Sequence, residues 1–115
     1  MYKKFELKLK PYVADLHFGV FPDKTVVTLR LRKSPSEVFS GVAWMHPNEE
    51  WSKIMGEQIA FDRMAETLAV KCAVKRLKDK KVIYNDKIFE SYRAEYKGRI
   101  YAAFFKAEGY WGESA

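Results

Sequence analysis

The chain contains a single cysteine, Cys72, in 115 residues, so no intrachain disulfide can brace it. Small secreted domains usually depend on several such bridges, and a reducing compartment is therefore expected. No apolar run approaches the ~20 residues needed to cross a bilayer. Residues 1–10 alternate lysine with apolar side chains. A secretory leader would need an unbroken apolar stretch of ~7–15 residues and a small-residue cleavage site. Internal repeats, low-complexity tracts and linkers rich in Gly, Ser or Pro are lacking as well. At 13.5 kDa there is room for one domain, spanning 1–115, and none for a multidomain enzyme. A soluble, cytoplasmic protein is expected.

Apolar residues make up 48% of the chain and charged ones 31%, a globular rather than disordered composition. Eighteen aromatic residues (three Trp, seven Tyr, eight Phe) predict a core rich in rings. Lys and Arg number 21 against 15 Asp and Glu, for a net charge of +6. That balance suits nucleic acid, an anionic surface or an acidic protein partner without selecting among them. The charge is segregated. Residues 1–33 carry +5, residues 34–68 carry −4, residues 69–106 carry +7 and the last nine carry −2. A basic patch forms only if the two basic ends meet in space.

Residues 1–46 read as a meander of strands. Phe5, Leu7 and Leu9 alternate with Glu6, Lys8 and Lys10, the period of a half-buried strand. A second apolar run covers Val13 to Phe21, a third covers Thr25 to Arg32, and a fourth covers Val38 to Met45. The Pro22-Asp23-Lys24 and Ser34-Pro35-Ser36 segments between them are turns, short enough for antiparallel hairpins. The period then changes. Asn48 is a good helix cap, with Glu49 and Glu50 in the first turn where the dipole favours acids. A long helix is expected over 48–79, with Ile54, Phe61, Ala65, Leu68 and Cys72 on its buried face. Trp51, Met55, Ala69 and Ala73 flank that stripe and Leu77 closes it. A second helix is expected over 86–107, capped by Asn85 or Asp86, with Ile88, Tyr92, Tyr96, Ile100 and Ala103 on one stripe. A rival reading turns the chain at Lys97-Gly98 into a hairpin, but the alanines and charged residues favour the helix. The fold class is thus α+β: an antiparallel sheet of three or four strands, one long helix across it and a second C-terminal helix.

Gly41, Ala43, Pro47, Trp51, Gly56, Ala60 and Arg63 fall into the pattern G-x-A-x(3)-P-x(3)-[FW]-x(4)-G-x(3)-A-x(2)-R. This resembles small proteins common in phages and prophages, over about residues 25–70. Glu49 and Trp51 replace the Asp and Phe more usual there. Most members of that group carry no assigned activity, so the resemblance implies a phage-like origin, in the cytoplasm of a bacterial host, more than a function. The strand–strand–helix order is also faintly similar to the double-stranded-RNA-binding domain. That domain grips phosphates with lysines in the first turn of its helix. This chain has Glu49, Glu50 and Glu57 in that region, so only the fold is carried over.

Candidate chemistry is sparse. His17 and His46 lack the H-E-x-x-H spacing of a zinc site, and no metal or cofactor is expected. Cys72 has Lys71, Lys75 and Arg76 nearby to acidify it, but its place on the apolar stripe makes it a small hydrophobe. The carboxylate pairs Glu49/Glu50 and Asp62/Glu66 serve equally well as surface charge. No phosphate-binding glycine loop or Ser-His-Asp order is present, and no catalytic residue is assigned. The most suggestive feature is the basic stretch Lys71, Lys75, Arg76, Lys78, Lys80 and Lys81, extended by Arg93 and Arg99. Such a row can track phosphates, with Tyr92, Tyr96 and Tyr101 stacking on unpaired bases. Nucleic acid is the favoured partner of what reads as a non-enzymatic binding protein. The alternative is an inhibitor of a host or bacterial defence enzyme, of the anti-CRISPR kind. It would dock through the acidic strip Glu49, Glu50, Glu57 and Asp62 or through the aromatic tail Tyr110-Trp111.

Overall fold

The computed structural model describes residues 2–9, 12–45, 53–81 and 83–108. Strands β1 (Tyr2–Lys8), β2 (Val13–Val20), β3 (Lys24–Leu31) and β4 (Val38–Trp44) precede helices α1 (Lys53–Asp79) and α2 (Asp86–Glu108). The strands form one antiparallel sheet in sequence order. Its register sets Phe5 opposite Leu16, Leu16 opposite Leu29 and Leu29 opposite Phe39, one apolar rung across all four strands. Because side chains alternate across a strand, this rung and its neighbours Ala14, Phe18, Val27 and Ala43 share the covered face. The intervening Glu6, Asp15 and Arg30 lie on the other face, where Arg32 bonds both Glu6 and Asp15 at 2.8 and 2.9 Å. Both helices pack on the covered face, α1 mainly over β4 and β3 and α2 over β1.

A cluster of rings ties the sheet to both helices. Phe18 of β2, Phe61 of α1 and Phe104 of α2 are fully buried. Their centroids lie 5.9 Å (Phe18–Phe104) and 4.7 Å (Phe61–Phe104) apart, and Phe5 meets both Phe18 and Phe104 edge-on. Such pairs add roughly 0.5–1.5 kcal/mol each beyond the burial of their area.

The approach of α1 to β4 depends on one residue without a side chain. A methyl group on Gly41 would fall 2.5 Å from Met64 N, 2.9 Å from Arg63 Cβ, and closer still to the carbonyl oxygen of Ala60. Arg63 then reaches over the sheet edge, and its Nη1 donates to the Val42 carbonyl at 2.6 Å. Met45 N donates to Asp23 O at 2.9 Å, so by antiparallel alternation Val42 directs its own carbonyl away from β3. The guanidinium thus occupies an acceptor that an incoming strand would otherwise use. Gly41, Ala43, Gly56 and Ala60 are all buried. Gly41, Ala60 and Arg63 thus meet in one strand–helix contact.

Two expectations for α1 need correction. Ile54 and Met55, placed on or beside the buried stripe, are each 42% exposed. Glu57, placed on an exposed acidic strip, is 0% exposed. The cause is the close fit at Gly41, which turns the face carrying Ala60, Phe61 and Met64 onto the sheet. Glu57 stands three and four residues before Ala60 and Phe61 and goes inward with them. Small residues, not the largest apolar ones, orient this helix. The expected start at Asn48, with His46, Glu49, Glu50 and Trp51, lies outside the described residues.

The C-terminal segment is a helix, not a hairpin, and Gly98 sits within it. Asn85 Oδ1 accepts hydrogen bonds from Lys87 N and Ile88 N at 2.9 and 3.3 Å, the expected cap. Ile100 is buried as predicted, but Phe104 is the deeper anchor. α1 ends at Asp79, and in the turn that follows Lys81 takes a left-handed φ of 53° while Lys80 N and Lys81 N bond Arg76 O and Lys78 O.

Candidate functional site

The 27 residues of α1 extend ~40 Å at 1.5 Å per residue. Strands of seven or eight residues reach only ~25 Å. Starting near the end of β4 and running back along it, α1 overshoots the sheet. Its C-terminal half therefore overhangs the β1–β2 turn and the β3–β4 connection. The space between the overhang, those turns and α2 is an open cleft of about 700 Å³.

Leu9, Leu31, Phe39, Leu68 and Ile100 form the apolar part of the lining, joined by Cys72 and the rings of Tyr12 and Tyr96. Around them stand Lys33, Lys71, Lys75, Arg76, Lys80 and Arg99, against only two carboxylates, Glu37 and Asp79. On α1 the spacing 68, 71, 72, 75, 76, 79 repeats at three and four, which puts all six on one helical face.

Some of this charge is already committed. Lys71 Nζ lies 2.7 Å from Glu37 and 5.1 Å from the centre of the Phe39 ring. Arg76 bonds Glu95 at 2.8 Å and lies over Tyr92 at 4.5 Å, while Arg99 meets the same Glu95 at 3.2 Å. Exposed pairs of this kind contribute ~0–1 kcal/mol and exchange readily for a stronger anion. Lys33, Lys75 and Lys80 form no ion pair with any described residue.

Five of the eight predicted basic residues, Lys71, Lys75, Arg76, Lys80 and Arg99, therefore converge on the cleft. Lys78 and Lys81 are exposed but do not line it. Arg93 lies across the helix–helix seam, where it bonds Glu66 at 2.8 Å and Glu90 at 2.7 Å. Lys33, Tyr12 and Phe39 went unrecognised in the sequence, although Lys33 belongs to the basic first third. It is the point at which the two basic ends of the chain meet.

The carboxylates Asp62 and Glu66 form an interhelical clamp. Both reach Lys97 Nζ at 3.1 Å, and the Tyr101 hydroxyl donates to Asp62 at 2.7 Å. Burial works to raise the Asp62 carboxyl, but the bonds from Tyr101 and Lys97 hold it below the usual range. Burial and then the Asp62 carboxylate push the Tyr101 phenol well above its own. Tyr101 is thus tied to α1 and packed on Phe61, away from the cleft, and Tyr92 lies beneath Arg76.

Burial also pushes the half-buried Cys72 thiol up, against the pull of Lys75 and Lys71, as suits a packing residue. Burial pushes the His17 imidazole down, with Lys4 adding to the effect. Among the described residues no group of three or more His, Cys, Asp or Glu side chains is placed to hold a metal ion, and no helix is long and apolar enough to cross a membrane. Of the acidic strip, Glu57 is buried, Asp62 is engaged, and Glu49 and Glu50 lie outside the described residues, as do Tyr110 and Trp111. Compared with protein-family models, curated proteins and solved structures, the chain matches none.

Proposed function

We propose that this protein is a non-enzymatic binding protein that docks nucleic acid in the cationic cleft under the C-terminal half of α1. The observation that supports this reading is the convergence of Lys71, Lys75, Arg76, Lys80 and Arg99 with Lys33 on one concave surface. Each phosphate held by such a group releases a condensed counterion, which supplies affinity without base identity. The competing acidic-strip mode has less to work with, since Glu57 is buried and Asp62 bonds Tyr101 and Lys97.

The test is a titration of the protein with labelled single- and double-stranded DNA and RNA at two salt concentrations. With five or six cations engaged on a single strand, log K should fall with log salt at a slope of about −3 to −4. Raising salt from ~50 to ~200 mM should then weaken binding roughly a hundredfold. Lys75→Glu together with Lys80→Glu should abolish binding, because neither lysine forms an ion pair with a described residue that the change would break. Lys24→Glu, at the start of β3 and the opposite end of the sheet, should leave it unchanged. Absence of binding at the lower salt to any of the four polymers would refute the proposal.

A further inference from the structure

We infer, on the basis of that nucleic-acid reading, that the cleft takes single strands, seating an unpaired base among its apolar side chains while the cationic rim holds the neighbouring phosphates. Two features of the cleft have no use in simple phosphate tracking. Its volume of about 700 Å³ lies inside the ~300–1,000 Å³ range of sites that enclose a small molecule. Its lining is apolar at Leu9, Leu31, Leu68 and Ile100, which a polyphosphate chain would leave unfilled. A duplex presents its phosphates on a convex rod with the bases hidden in the stack. It can touch the rim of a concavity but puts nothing inside. A single strand carries a flat, largely apolar base on every anionic unit, and so matches both parts of this surface.

The rings support the same assignment. Tyr12, in the β1–β2 turn, is 40% exposed and lines the cleft. It stacks on no described aromatic ring and carries no described cation over its face. Its backbone is fixed, because Leu9 N donates to Tyr12 O at 2.8 Å. Tyr96 lines the same cleft from α2, with the guanidiniums of Arg99 and Arg76 over its ring at 5.4 and 5.9 Å from the centre. A base stacked on Tyr12 would thus have two phosphate-binding guanidiniums on the facing wall of the same cleft. Base–aromatic stacking of this kind tolerates any base identity. The site should therefore discriminate strandedness far more than sequence.

The test compares three ligands at one low salt concentration by fluorescence anisotropy: a deoxythymidine 15-mer, the same backbone built from abasic units, and a 15-base-pair duplex. The thymidine strand should bind at least about tenfold more tightly than either of the others. Tyr12→Ala should remove about tenfold of that affinity and leave the abasic strand within about twofold. Phe21→Ala, at the opposite end of the sheet, should change neither. Cys72 lines the cleft and is the chain's only thiol, so its alkylation rate is a second readout that needs no variant. The thymidine strand at saturation should slow that reaction, and the abasic strand should slow it less. Equal affinity for thymidine and abasic strands, or preference for the duplex, would overturn base insertion while leaving nucleic-acid docking in place. Failure of all three ligands to bind would overturn base insertion, and failure of the RNA polymers at the same salt would remove nucleic-acid docking with it.

Discussion

Replacing Gly41 with alanine tests the central packing argument, because its sign is opposite to the intrinsic one. Glycine in a regular element costs roughly 0.5–1 kcal/mol relative to alanine, so alanine at an unencumbered site should stabilise the strand. At Gly41 the new methyl would lie 2.9 Å from Arg63 Cβ and 2.5 Å from Met64 N, with Ala60 O nearer still. Carbon contacts settle at ~3.5–4.0 Å, so α1 must back away by about 1 Å. The obstructing atoms are mostly helix backbone and cannot rotate aside. A gap of ~0.5–1 Å forfeits a quarter to a half of each dispersion contact along the interface, which here includes Ala60, Phe61 and Met64. Overpacking commonly costs ~1–3 kcal/mol, and the rigidity of the obstacle puts this substitution at the upper end, near 3 kcal/mol. In a domain of this size 1 kcal/mol moves Tm by ~4 °C, so thermal unfolding followed by circular dichroism should show a fall of about 10 °C or more. The urea midpoint should fall by ~1–2 M. A Tm within about 2 °C of the parent, or above it, would refute the close approach of α1 to β4.

Gly98 offers the contrasting case: it sits inside α2 with nothing within 4 Å of an added methyl. Gly98→Ala should therefore raise stability by ~0.5–1 kcal/mol, a Tm increase of a few degrees. Lys81→Gly relieves a left-handed residue at the end of α1 and should stabilise by about 1 kcal/mol, read in the same melt. The Tyr101–Asp62 bond contributes to both limbs of the pH–stability profile. Tyr101 is raised in the folded state, so its stabilisation is complete below about pH 10 and is lost above, as the unfolded chain releases a proton the folded one keeps. Tyr101→Phe should flatten the alkaline limb measured by urea unfolding; an unchanged slope would refute the assignment. Asp62 is lowered, so its contribution is present above about pH 4 and disappears as pH falls through the folded value. Asp62→Asn should lower stability at neutral pH and converge with the parent as the pH falls through the folded value.

Local pattern alone carried a large part of this fold. Alternation and short apolar runs located β2, β3 and β4 to within a residue and placed β1 two or three residues late, and the helical period with an Asn85 cap located α2. Those signals lie between residues a few positions apart, so no tertiary information is needed to read them. The basic row at 71–81 was also legible, as was the partial burial of Cys72. The rotation of α1 was not. Counting apolar residues turned Ile54 inward and Glu57 outward, because the count cannot register that a missing side chain on another strand lets Ala60 approach.

What the sequence by itself determined is the order and type of the elements, the meander of the strands and the excess of positive charge. Only the tertiary structure decided which charges remain available. Arg93 is neutralised by Glu66, 27 residues away, and Lys71 is held by Glu37, 34 residues away. Lys33 joins a cleft built largely by the far half of the chain. The reason is physical: hydrogen bonding and side-chain periodicity act along the chain, whereas burial, ion pairing and concavity act through space between segments whose separation no local pattern records.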